Sequence, residues 1–448
     1  MRTIVAVVLL VLGGVVSSTD GLEYPEVRLT NRTSYFVHLG EVQADTLATV
    51  GWRRLSVAQG VGIGLVGYAR YDSTNVSNVS WDEFVRRDRE PALGIEELSV
   101  GLNLAKLWPA SENFFGGSMT FKLGKFLFPM FGVGDVVRLN DVLVPHNFSH
   151  NPVVRDPTDP TADERFTQYG VLATWQRKLL ADRYRLRCEG AYQPVFVPNR
   201  HAVFGPWRIA PTGVTVEQTL PSLGHISSGQ QFALRSCLTS NESGGEFCGM
   251  VYEGRDQTPW MVSSAPTAIR LVYPRLRMVG ASFVHPVPFT ESVLFRGEFS
   301  YADYDGLVGR DYVAALATFE SVQTVRGRGL FLLAQGMWRS VSDSTQPLQE
   351  ILRQGALVRI RYGALFGENG WALQFEGGVN ADPLGYVIEP AVFLPMPSFL
   401  DGVWESLGVE HPQLGFRYVV FGGDRRHAFG GLYRNNDFVA VELAFTRH

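Results

Sequence analysis

The sequence predicts an all-β chain folded as a single closed antiparallel transmembrane β-barrel of about 14 strands (roughly 12–18), with short turns at one end and long loops at the other. Three observations predict it. Apolar and polar residues alternate with a period of two along most of the 448-residue chain. The apolar face is rich in Trp, Tyr and Phe, while the polar face carries Arg, Glu and Gln. The pattern also persists without a linker that would divide the chain into domains. A strand half-buried in a soluble sandwich alternates too, but it exposes its charged face to water and needs a second sheet over its apolar face. In lipid the solution is the reverse: apolar side chains outside, polar ones inside, and a sheet closed so that no backbone edge is left unpaired.

The bulk numbers fit that class. Mean hydropathy is +0.01, as expected when apolar residues are interleaved with polar ones. Beyond the N-terminus no stretch approaches the ~20 apolar residues of a membrane-spanning helix. The net charge of −4 gives no basic excess and argues against a nucleic-acid partner.

Taken in order, residues 1–18 read as an export signal. Arg2 is the positive start, and an apolar run from Ile4 to Val16, interrupted by Gly13 and Gly14, is the core. Val16-Ser17-Ser18 suits cleavage before Thr19, and cleavage after Gly21 also fits. Residues 19–448 are then the barrel. Stretches 72–91, 139–164, 194–228 and 239–266 hold clusters of Pro, Asp, Asn, Ser and Gly and read as long loops. The second of these, 139–164, is expected to fold inward and narrow a pore.

The clearest strands follow. Tyr169, Val171, Ala173 and Trp175 oppose Gln168, Thr174 and Gln176. After a short turn at Ala181-Asp182, Leu186, Cys188, Gly190 and Tyr192 oppose Arg185, Arg187, Glu189 and Gln193. Phe295, Gly297, Phe299 and Tyr301 oppose Arg296, Glu298 and Ser300. Val358, Ile360, Tyr362 and Ala364 oppose Arg359 and Arg361, and Trp371, Leu373, Phe375 and Val379 oppose Gln374, Glu376 and Asn380. Between these last two, Gly367-Glu368-Asn369-Gly370 carries the Asn-Gly hairpin signal. The chain ends on Val439, Val441, Leu443 and Phe445 opposing Ala440, Glu442, Ala444 and Thr446.

Alternation points Arg185, Arg187, Glu189, Arg296, Glu298, Arg359, Arg361, Glu376 and Glu442 inward, where rings or ladders of charge set ion selectivity. The competing reading is that they pair across strands and only satisfy the barrel interior. Cys237 and Cys248 flank a turn-rich loop and could close a small disulfide in an oxidising compartment, while Cys188 falls on an apolar face as a free thiol.

Phe121-Lys122-Leu123-Gly124-Lys125, followed by Gly134-Asp135-Val136 and Asn140-Asp141-Val142-Leu143-Val144-Pro145, resembles porin-like outer-membrane barrels related to alginate-export proteins, with Val-Pro where that group has Asn-Pro. The resemblance implies passage of a small or linear polar solute. The Asn-Pro-Ala hatch motif of the long-chain fatty-acid transporters does not occur. Phe445 is followed by Thr446-Arg447-His448, which displaces the aromatic end that barrel-assembly machinery reads.

No Gly-x-Ser-x-Gly elbow, P-loop, dinucleotide fingerprint or Cys/His zinc spacing occurs, so neither an enzyme nor a cofactor is expected. His146 and His150 lack a third ligand nearby, and the acidic stretch 156–164 does not match a calcium-loop spacing, so no metal site is expected. Sequons at Asn31, Asn75, Asn78, Asn147 and Asn241 support a rival reading, a secreted soluble β protein.

The functional expectation is an outer-membrane channel for small polar or anionic solutes, with lipid and the assembly machinery as its other partners. The alternatives are a hydrophobic-ligand transporter and a non-conducting surface barrel whose loops bind partners.

Overall fold

The computed structural model describes residues 26–37, 41–72, 92–134, 138–144, 147–148, 167–198, 200–201, 215–218, 229–265, 268–288, 290, 292–305, 311–340, 354–365, 370–381, 384–396, 410–424 and 437–447. The expected export signal and the hairpin signal at 367–369 lie outside them, as do His146, His150 and the acidic stretch 156–164.

The strands are β1 (Glu26–Phe36), β2 (Glu41–Ala58), β3 (Val61–Asp72), β4 (Ala92–Asn103), β5 (Ser118–Phe126), β6 (Asn147–Phe148), β7 (Gln168–Leu179) and β8 (Tyr184–Gln193). They continue as β9 (Arg200–His201), β10 (Thr215–Gln218), β11 (Gln231–Ser240), β12 (Glu246–Arg255), β13 (Trp260–Ala265), β14 (Ala268–Val272), β15 (Arg275–Pro286) and β16 (Val293–Asp305). The last are β17 (Tyr312–Val325), β18 (Arg328–Ser340), β19 (Gln354–Gly363), β20 (Ala372–Ala381), β21 (Leu384–Pro395), β22 (Glu410–Gly423) and β23 (Phe438–Arg447). Two short helices, α1 (Leu104–Leu107) and α2 (Ser111–Phe115), fill the β4–β5 connection.

Eighteen strands share one antiparallel sheet, more than the expected 14. Each pairs with its neighbours in chain order once the short β6, β9, β10, β13 and β14 are set aside, and β1 pairs with β2 on one side and β23 on the other. The undercount has two causes. Several connections are much tighter than a generic strand-plus-turn: β17 and β18 are joined by Arg326 and Gly327 alone, both left-handed at φ 53° and 72°, as a two-residue hairpin turn requires. The second cause is the expected loop 239–266, which is not a loop throughout. Residues 241–245 form only a turn, β12 is a full member of the sheet, and β13 pairs with β14 beside it. Within β12, Phe247 and Val251 are exposed while Cys248, Met250 and Tyr252 are buried. With apolar residues on both faces, it lacks the polar–apolar contrast that marks the other strands.

Connections alternate between the two ends of the sheet, as antiparallel pairing demands. The β5–β7, β8–β11 and β12–β15 pairs are joined at one end, and β2–β3 (59–60), β4–β5 (104–117), β7–β8 (180–183), β11–β12 (241–245) and β17–β18 (326–327) at the opposite end. The outer face is consistently apolar. Leu234, Val251, Val279, Phe299, Ile360, Phe375, Ile388, Phe416 and Val439 are exposed there, each between inner-face neighbours that are buried. Aromatic rings lie over cross-strand glycines on this face. A Cβ on Gly297 would sit 2.3 Å from the Phe283 ring and one on Gly422 2.1 Å from the Tyr386 ring, each glycine directly opposite its aromatic. The bare glycine backbone is what lets the ring lie flat against the sheet.

Candidate functional site

The inner face gathers the charged residues. Its dominant feature is the chain leaving β5, described at residues 127–134 and 138–144, which folds against the inner side of β7, β8, β11, β12, β15 and β16 rather than away from the sheet. Sequence chemistry explains why. Phe126 and Phe128 stack at 4.4 Å between centroids, and with Phe131, Leu143 and Val144 they are buried against Ala191, Ala233, Met250, Leu276, Met278 and Ala302, small and apolar positions on the wall. Gly132 permits close approach: a Cβ there would lie 2.7 Å from the Arg138 Cβ and 3.1 Å from Glu298 Oε1. The inward loop expected at 139–164 therefore begins earlier than the sequence suggested. Residues 139–144 belong to it, and most of the remainder lies outside the described residues.

Backbone polar groups of this segment are met by wall side chains. Glu298 Oε1 accepts from the N–H of Val133 at 2.6 Å and from that of Gly134. Its Oε2 accepts from Leu139 at 2.8 Å and Asn140 at 2.9 Å. Arg235 donates to the Met130 carbonyl at 3.1 Å, Gln193 to the Leu143 carbonyl at 2.9 Å, and Asn140 to the Ala281 carbonyl at 3.1 Å. The Arg235 guanidinium also lies over the Phe131 ring, 5.4 Å from its centroid.

Among the described residues, three further groups of charge stand out on the inner face. In the first, Arg187 and Arg235 alternate with Glu189 and Glu246 at 3.5–3.9 Å, beside the Cys237–Cys248 disulfide. The two cysteines are directly opposite on β11 and β12. In the second, Arg53 and Lys122 converge on buried Glu97, at 3.5 and 2.7 Å, and Arg53 also meets Glu96 at 2.8 Å. In the third, Arg359 Nη2 lies 2.7 Å from Glu376 and Arg417 lies 2.5 Å from Glu389. Glu376 and Glu389 are in register across β20 and β21, so the row reads cation, anion, anion, cation. Arg361 and Arg417 both face the Phe393 ring, at 4.8 and 5.2 Å.

Of the residues expected inside, Glu189, Glu298, Arg359, Arg361 and Glu376 are buried, Arg187 and Arg296 are partly buried, and Arg185 is exposed near the short-turn end of β8. Arg296 pairs with Glu320 and reaches the Val133 carbonyl at 3.5 Å. Glu442 takes its place on β23 opposite Gly415, and its side chain lies outside the described residues. Two of the three groups hold members of the expected set, Arg187 and Glu189 in the first and Arg359 and Glu376 in the third, while Arg296 and Glu298 meet the inward segment instead. Sequence reading missed Arg53, Glu97, Lys122, Arg235, Glu246, Glu389 and Arg417. Arg235 between Leu234 and Ser236, and Arg417 between Phe416 and Tyr418, carried the same alternation and were legible. Glu97 was not, because it adjoins Glu96 and breaks the period. Cys188 is a free thiol, 3.4 Å from the Ser236 hydroxyl.

At the long-loop end, Asp256 accepts from the Tyr304 hydroxyl at 2.6 Å and from the Thr258 N–H at 2.9 Å. Desolvation pushes its carboxyl above the usual range, against the pull of those two hydrogen bonds and of Arg339. Cys237, Glu246 and Cys248 approach one another closely enough to suggest a metal group. The sulfurs are spent on each other, and Arg235 and Arg187 occupy the carboxylate, so the residues present do not fit one.

No protein-family model matches the chain, and no curated protein matches it. Solved structures do. The chain is similar to a BenF-like porin from Pseudomonas fluorescens Pf-5, at 11% identity over 94% of this chain and 96% of that one, TM-score 0.49. It is similar to Pseudomonas aeruginosa OccK2 (OpdF) in complex with glucuronate, at 13% identity over 94% and 96%, TM-score 0.47, and to Acinetobacter baumannii OccAB1, at 9% identity over 96% and 98%, TM-score 0.45.

Proposed function

We propose that the chain is an outer-membrane channel: an exported, closed eighteen-stranded barrel that passes small polar or anionic solutes through a charge-lined lumen. One observation carries the reading. Large apolar side chains are exposed on the outer face while arginines and carboxylates are paired on the inner one. In water the outer face would be a severe liability; in lipid each such side chain removed from water contributes about 1.5–3 kcal/mol. The pairing of β1 with β23 supports closure, since it leaves no strand of the large sheet with a single partner.

The inward segment is the constriction in this reading, and the solute path runs along the remaining wall, past the Arg359–Glu376–Glu389–Arg417 row and the Arg53–Glu97–Lys122 group. Opposed charges fixed at close quarters set selectivity through their field. The apolar cluster behind the inward segment is filled by that segment's own Phe128, Phe131 and Leu143, which favours a polar solute over a hydrophobic one.

The test is mobility on a gel before and after boiling, followed by planar bilayer recording under a salt gradient. A heat-dependent shift with discrete current steps is the expected result. Solubility without detergent would remove the barrel, and a shifted band that carries no current would leave the barrel and remove the channel.

A further inference from the structure

The four backbone N–H groups that converge on Glu298 come from two places in the inward segment, Val133–Gly134 and Leu139–Asn140, and each pair takes one carboxylate oxygen. The carboxylate is buried, so these bonds face no competition from water. The fit is also tight from the other side, since a single methyl at Gly132 would meet both Glu298 oxygens, at 3.1 and 3.2 Å, and the Arg138 Cβ that packs beside them, at 2.7 Å. The other hydrogen bonds described between segment and wall are one each, from Arg235, Gln193 and Arg296 to the segment and from Asn140 to the Ala281 carbonyl.

We propose that Glu298 is the positioning residue of the constriction: it pins both arms of the inward segment to β16 and thereby sets the aperture. The aperture part rests on the channel reading; the pin does not. Only a carboxylate performs this task. A Gln in the same place has one acceptor oxygen, so two of the four N–H groups would face an amide N–H₂ instead. An Asp is a methylene too short to span both pairs.

The experiment compares wild type, Glu298→Gln and Gly132→Ala, each as the full chain in detergent micelles and in planar bilayers. Gly132→Ala lies on the segment, so it tests the pin if Glu298→Gln does not fold. Gly336→Ala is the control, because a Cβ there has no neighbour within 4 Å. Amide hydrogen exchange reads the pin. The amides of Val133, Gly134, Leu139 and Asn140 are expected to exchange tenfold or more faster in both variants, with strand amides unchanged. Conductance reads the aperture and is expected to change at least twofold, in the same direction for both. Wild-type exchange at those four amides in both variants overturns the pin. Faster exchange with unchanged conductance overturns the link to aperture. Faster exchange in a chain that carries no current in any form upholds the pin and removes the channel reading.

Discussion

Replacing Arg359 by Met tests whether the inner-face charges are held by pairing. Arg359 is fully buried and offers two donors to one oxygen of Glu376, Nε at 2.8 Å and Nη2 at 2.7 Å. The two residues face each other in the β19–β20 ladder, so no backbone change is needed to form the contact. Methionine fills similar volume without charge. Its introduction leaves Glu376 buried and directly opposite Glu389. Two hydrogen bonds to a charged group are worth about 1.5–3 kcal/mol each. Breaking a buried pair from one side costs about 3–5 kcal/mol. The two estimates agree on a loss near 4 kcal/mol. Replacing both partners, Arg359→Met with Glu376→Met, removes the buried carboxylate as well and is expected within about 1 kcal/mol of wild type. The assay is urea unfolding from lipid vesicles, followed by far-UV circular dichroism for the four corners of the mutant cycle. A single variant within about 1 kcal/mol of wild type, or a double variant as unstable as the single, would refute the reasoning.

Three further outcomes are expected. Because the folded-state carboxyl of Asp256 is raised, its contribution to stability is fully present below the unfolded value and is lost as pH rises through the folded one. Amides in 256–260, corrected for intrinsic rate, should therefore exchange more slowly at mildly acidic pH than at pH ~8, and Asp256→Asn should flatten that dependence. Replacing Cys237 and Cys248 by Ser opens a link of sequence separation 11 and should lower unfolding stability by about 2–3 kcal/mol, with no effect of reductant on the variant. Leu180, Ala181 and Asp182 all adopt left-handed φ, at 48°, 53° and 69°. Ala181→Gly should relieve about 1 kcal/mol of that cost and raise the urea midpoint; a lowered midpoint would mean that the Ala181 side chain packs favourably there.

Much of the fold was legible because the outer face dictates it. β7, β8, β16, β19, β20 and β23 each show one face that is apolar except toward the strand ends and one polar face, and periodicity alone places them. β12 was lost because its inner face meets Phe131 and its neighbours rather than charge, so Cys248, Met250 and Tyr252 read like the outer positions Phe247 and Val251. The start of the inward segment was lost for a related reason. Phe126-Leu127-Phe128 looks like a strand running on, and what turns it inward is a wall of alanines and methionines contributed by five other strands. The site was legible residue by residue but not as a grouping. Alternation tells which way Glu298 and Arg359 point. It does not tell that one grips a loop and the other a neighbouring strand, because those partners are set by register between distant segments.

The join between β1 and β23 carries a kinetic consequence. Val27 lies opposite Arg447 and Phe36 opposite Phe438, so strands about 400 residues apart in the sequence must meet. Among the described residues no other pairing in the large sheet spans so much sequence, and the entropy of bringing these strands together is repaid only when that whole row forms. Hairpins elsewhere can zip locally, so this pairing is expected to form last, and a chain lacking β1 or β23 is expected to keep an open sheet edge, checked by stopped-flow refolding.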